Sequence, residues 1–74
     1  MNEQKLREKL RAIRQTRGLT QAALGAQSGL SQSVISLLES GRPAQPATLA
    51  RWAESLGYTL TAETRYRLTK DENQ

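Results

Sequence analysis

The chain has 74 residues, with 11 Lys and Arg against 7 Asp and Glu, a formal net charge of +4, and neither Cys nor His. That length allows one small domain, and the missing thiols and imidazoles exclude zinc fingers, disulfides, thiol chemistry and histidine-based catalysis. No apolar run reaches the length of a signal-peptide core or a membrane span, so a cytoplasmic protein with no membrane partner, no cofactor and no metal is expected.

The charge is unevenly spread. Residues 1–57 carry eight Lys or Arg against four Asp or Glu, whereas residues 58–74 balance at three each. A basic N-terminal part points to a polyanionic partner, although basic surfaces also serve solubility. With no Phe, one Trp and two Tyr, the core must be built from aliphatic side chains and alanine.

A first helix is predicted from Glu3 to Arg17. Leu6, Leu10 and Ile13 fall at i, i+4 and i+7 and make one apolar stripe. Glu3 in the first turn and Arg14 and Arg17 in the last suit the helix dipole, and Gly18 ends the element. Lys5, Arg7, Lys9 and Arg11 read as a solvated face. Arg14 and Arg17 lie nearer the next element and are candidates for phosphate contact.

Two short helices follow, Gln21 to Gln27 and Gln32 to Ser40. Thr20 and Ser31 are N-cap types whose hydroxyls accept orphan backbone N–H groups. Gly29, between the helices, suits a left-handed residue ending the first of them. Leu24, Leu30, Ile35 and Leu38 close on a shared core, and small Gly25 permits a close crossing. A short helix pair with a glycine-containing turn is the helix-turn-helix unit, whose second helix can enter a DNA major groove. The outward face of that second helix presents Gln32, Ser33, Ser36 and Leu37. Gln can bond adenine bidentately, Ser can bond several base edges, and Leu37 can either touch a thymine methyl or pack on Val34. Glu39 would repel phosphate, so a structural role is expected, in a pair with an arginine such as Arg14 or as a cap.

Gly41 fits a left-handed helix end, and Arg42 to Pro46 is a loop stiffened by two prolines. A fourth helix is predicted from Pro46 to Leu56, with Pro46 at N1. Leu49, Trp52, Ala53 and Leu56 complete the core, and this spacing makes Trp52 a core residue rather than a base-stacking one. Gly57 ends the helix. The period then changes to two over residues 58–68, with Tyr58, Leu60, Ala62, Tyr66 and Leu68 on one side, which predicts a strand. A helix over Ala62 to Leu68 is the alternative. A lone strand cannot satisfy its own N–H and C=O groups. Its simplest partner is the same strand of a second chain about a two-fold axis, with Tyr58, Leu60, Ala62 and Tyr66 at the dimer interface. Residues 69–74 read as a disordered polar tail.

The segments Leu19-Thr20-Gln21, Leu24, Gly29, Leu30-Ser31, Ile35-Ser36, Leu38-Glu39 and Gly41 resemble the phage-repressor-like (Cro/repressor, or XRE) helix-turn-helix domains. The resemblance covers about residues 5 to 57 and departs at Ser28, where the family usually buries an apolar residue. It implies a mainly α, four-helix, lambda-repressor-like domain with Gln32, Ser33, Ser36 and Leu37 towards the bases. It also implies that Gln21 contacts a phosphate and props the recognition helix, and that Arg42 lies on phosphate. Ser31 and Ser40, with Arg14 and Arg17, complete the candidate phosphate-contacting set. Many such domains continue with a fifth helix. The strand here is more like antitoxins of the HipB type, in which it pairs with the dimer mate.

These readings divide the chain into a helix-turn-helix domain (1–57), a dimerisation strand (58–68) and a tail (69–74). They favour a dimeric, sequence-specific regulator of a two-fold operator in double-stranded DNA, either a repressor or an autoregulatory antitoxin with a cognate toxin protein as partner. The alternative is a protein-interaction module with DNA binding secondary, though its polar, uncharged recognition face lacks the aromatic anchors usual at protein interfaces. An enzyme is not expected, because no cluster of catalytic residue types is present.

Overall fold

The computed structural model describes residues 1–71. Helix α1 (Glu3–Thr16) opens on Asn2, whose Oδ1 accepts the Lys5 N–H at 2.8 Å. Helix α2 (Gln21–Ser28) opens on Thr20, whose Oγ1 accepts the Ala23 N–H at 3.0 Å, and ends at Gly29 with φ 75°. Helix α3 (Gln32–Glu39) follows after the three residues Gly29, Leu30 and Ser31, and α4 (Pro46–Ser55) begins with its proline in the first turn, where a missing N–H is harmless. Each boundary lies within a residue of its sequence-based expectation.

The crossing of α2 and α3 depends on Gly25. A Cβ added there would press on the Ser31 carbonyl carbon and sit 2.5 Å from the Gln32 nitrogen, so only glycine lets the two backbones meet. Leu6, Leu10, Leu24, Ile35, Leu38, Leu49, Trp52, Ala53 and Leu56 form one buried cluster. Ile13 and Leu30 pack against it half-buried. Trp52 is fully buried, and its indole N–H has no hydrogen-bond partner among the described residues.

The C-terminal segment differs from expectation. Residues 58–68 are not one strand but the greater part of a hairpin of β1 (Tyr58–Ala62) and β2 (Tyr66–Lys70), antiparallel, with Leu60 opposite Leu68 and Ala62 opposite Tyr66. The ladder partner that a lone strand would need is therefore supplied by the same chain. Thr69 and Lys70, assigned to the tail from sequence, belong to β2. Asp71 closes the hairpin, its N–H donating to Gly57 O at 2.8 Å and its carboxylate accepting from Thr59 Oγ1 at 2.9 Å. The rest of the expected tail lies outside the described residues. Tyr58, Leu60, Tyr66 and Leu68 turn towards the helical core.

Two hydrogen bonds fix which groups of the hairpin face outward. Tyr66 N–H donates to Met1 O at 2.8 Å, away from β1, whereas Asp71 N–H points back to Gly57. In an antiparallel ladder these directions alternate. Tyr58, Leu60 and Ala62 consequently aim their backbone N–H and C=O groups away from β2, along the outer edge of β1.

Candidate nucleic-acid interface

Helix α3 is held from within and leaves one face free. Ile35 and Leu38 are buried in the core, while Gln32, Ser33, Ser36 and Leu37 are exposed. These four residues and Gln21 line a shallow concavity of about 380 Å³. All four sequence-derived base-contacting candidates are thus brought to one surface, with the first residue of α2 at its edge. Leu37 is 47% exposed, the one large hydrophobic side chain left so open among the described residues. Val34 is half-buried and packs on the core.

The start of α3 is strained. Ser31 has φ 78° and ψ 155°, and it is the one non-glycine residue with positive φ among those described. Backbone of that kind is nearly confined to glycine and costs on the order of 1–3 kcal/mol. Two contacts hold it there. Ser31 N–H donates to Gly25 O at 3.3 Å, and Ser31 Oγ accepts the Val34 N–H at 3.3 Å as the helix cap.

A charged network fastens the other end. Arg14 donates from Nε to Glu39 Oε2 at 2.6 Å, from Nη2 to Glu39 Oε1 at 2.9 Å and from Nη1 to Leu19 O at 2.7 Å. Gln21 Nε2 donates to Glu39 Oε1 at 3.1 Å. The side chains of Arg14 and Glu39 are 9% and 4% exposed, so this is a bidentate pair away from water. It joins the end of α1, the start of α2 and the end of α3. The expected Arg14–Glu39 pair is present. Arg14, however, has its guanidinium committed inside the fold and cannot reach a phosphate, which removes it from that candidate set.

The remaining phosphate candidates are placed differently. Arg17 and Arg42 are exposed, with no ion pair among the described residues. Gln21 is half-buried and spends one amide hydrogen on Glu39. Ser40 Oγ donates to Leu37 O at 2.8 Å, so it caps its own helix. Arg7 was expected on the solvated face and is instead buried, donating from Nη1 to Leu38 O at 2.7 Å and from Nε and Nη2 to Glu3 Oε2 at 3.2 and 2.9 Å. Its one sequence signal is its place two helical turns before Arg14.

A family model described as helix-turn-helix matches residues 10–62. The chain belongs to the helix-turn-helix family. Its type is the XRE one, and this family is one of DNA-binding, transcription-regulator-type domains rather than of enzymes. The match covers all of α2, α3 and α4 together with β1 and the second half of α1. No curated protein and no solved structure matches the chain significantly. Among the described residues, no helix is long and apolar enough to cross a membrane. In this helix-turn-helix domain, α2 is the supporting helix and α3 the one presented outward.

Proposed function

We propose that the chain is a sequence-specific regulator that binds a two-fold operator as a homodimer and represses by occupying it. The observation that carries this reading is the polar, uncharged concavity of Gln21, Gln32, Ser33, Ser36 and Leu37 on the outer face of α3. Such a surface suits base edges, which offer donors, acceptors and thymine methyls. Arg17 and Arg42 supply phosphate contacts beside it, with Gln21 and the N-terminal turn of α3 at Ser31 as further donors.

The homodimer is assigned to the open edge of β1. Tyr58, Leu60 and Ala62 are spaced symmetrically about Leu60, so an antiparallel copy would set Leu60 against its counterpart and Tyr58 against the other copy's Ala62. Tyr66 lies on β2 and leaves the interface set. Autoregulation as an antitoxin, with a toxin bound elsewhere on the chain, fits the same architecture.

Site selection from random duplexes followed by two substitutions tests the reading. Gln32→Ala should weaken the selected site by about 1–3 kcal/mol and relax the preference at one base pair per half-site. Arg42→Ala should weaken selected and random duplexes equally and reduce the salt slope by about 1. Binding that ignores salt, or a Gln32→Ala variant with its preference intact, would move the protein to the interaction-module class.

A further inference from the structure

The anchors of α3 are unevenly distributed, and Arg7 is the least expected of them. Its side chain is 6% exposed, yet it carries a full charge into contact with the last turn of the reading helix. Leu38 O is one of the four carbonyls that a helix end leaves without an intrahelical partner. It receives Arg7 Nη1 at 2.7 Å as well as Gly41 N–H at 3.2 Å. Glu3, one turn earlier on α1, takes the other edge of the guanidinium and fixes its plane. A cation at this place is also favoured by the helix dipole.

We infer that Arg7 is a positioning residue for base reading: it sets the direction in which α3 points without touching DNA itself. Apolar contacts through Ile35 and Leu38 hold the helix against the core but constrain its swing weakly, because dispersion has no preferred direction. The Arg7 bond is directional. Leu38 and Gln32 are six residues apart, about 9 Å along the axis. A swing of about 10° at the fastened end therefore carries Gln32 about 1.5 Å sideways, beyond the roughly 0.5 Å that a productive contact geometry tolerates. Arg14 holds Glu39 on the same helix turn, so the two arginines together define an orientation rather than a single tether.

The inference rests on α3 being the reader, and the experiment separates the two. Full-length Arg7→Lys, Arg7→Met and Glu3→Gln variants are titrated with a duplex recovered by selection and with a random-sequence duplex of equal length, over a range of salt. Thermal unfolding is followed in parallel. For Arg7→Met the ratio of the two affinities should fall about tenfold or more, with random-duplex binding and the salt slope unchanged. Arg7→Lys, which can reach the carbonyl but not hold a plane, should lie between it and the parent. Glu3→Gln, at a half-exposed position, should lower the ratio about threefold. A folded Arg7→Lys or Glu3→Gln variant with the full ratio overturns the inference, leaving Arg7 a stability residue, and this holds even where Arg7→Met fails to fold. A salt slope reduced by about 1 also overturns it, since Arg7 would then be a phosphate contact. If Gln32→Ala keeps its preference as well, the reader assignment has failed and takes this inference with it; if Gln32→Ala loses preference while the Arg7 variants keep theirs, this inference alone fails.

Discussion

The helices and the hairpin solve the burial problem in different ways. Every fully buried apolar residue among those described comes from α1 to α4 or from Leu56, directly after α4. No residue of β1 or β2 reaches that state; Tyr58, Leu60, Tyr66 and Leu68 are half-buried coverings of a core made elsewhere. The helical region can hold its own shape and still leave the outer face of α3 uncommitted. The hairpin has no core of its own, and what it adds is an edge of unpaired backbone groups. The proposed reading and the proposed assembly thus fall to parts of the chain with different sources of order.

The largest way to break this contrast is Glu39→Ala. It strands Arg14 inside the fold without its carboxylate, and removing one partner of a buried pair costs about 3–5 kcal/mol. The helical region should then unfold at a much lower temperature, visible by circular dichroism at 222 nm.

Ending the chain after Gly57 should do less to stability and more to binding. Half-burial of four apolar side chains is worth about 3–6 kcal/mol before the ordering of the segment is counted against it. The fragment should stay helical and become monomeric in sedimentation. Losing the second half-site should lower operator affinity on the order of 100-fold. A fragment that still dimerises would place the interface on the helices.

The smallest effect has the opposite sign. Ser31→Gly removes a strained backbone conformation worth on the order of 1–3 kcal/mol and gives up a cap worth only a few tenths. The variant should gain about 1 kcal/mol, raising the melting temperature by roughly 4–8 °C. Looser operator binding in the same variant would show that the strain helps to set the first turn of α3.

The helices were legible because their signals are local. Caps at Thr20 and Ser31, glycines at 29 and 41 and apolar spacings all lie within a few residues of what they specify. The four outward residues of α3 followed from the same periodicity. The hairpin was not legible, for two reasons. Its turn, Glu63-Thr64-Arg65, holds no Gly, Pro, Asn or Asp. Its register also pairs Tyr58 with Lys70, Leu60 with Leu68 and Ala62 with Tyr66, so even-numbered residues meet even-numbered ones. The period-two pattern therefore runs through the turn without a break and reads as one long strand. Arg7 was misjudged for another reason. A charge beside an apolar stripe looks solvated until the third helix brings Leu38 O against it, a contact 31 residues away. Arg14, 25 residues from Glu39, was recognised as its partner only because a carboxylate on α3 called for a cation.

The lone indole gives this molecule an optical signal of its own. Trp52 is sealed inside the core with no hydrogen bond to its nitrogen, and there is no second Trp. Its excited state has no water to relax against, so native emission should lie well to the blue and move red as the helices separate. Neither α3's outer face nor β1's edge includes it. Fluorescence wavelength therefore follows folding while remaining almost blind to DNA or to a second copy, and a variant can be checked for intact structure in the cuvette that measures its binding.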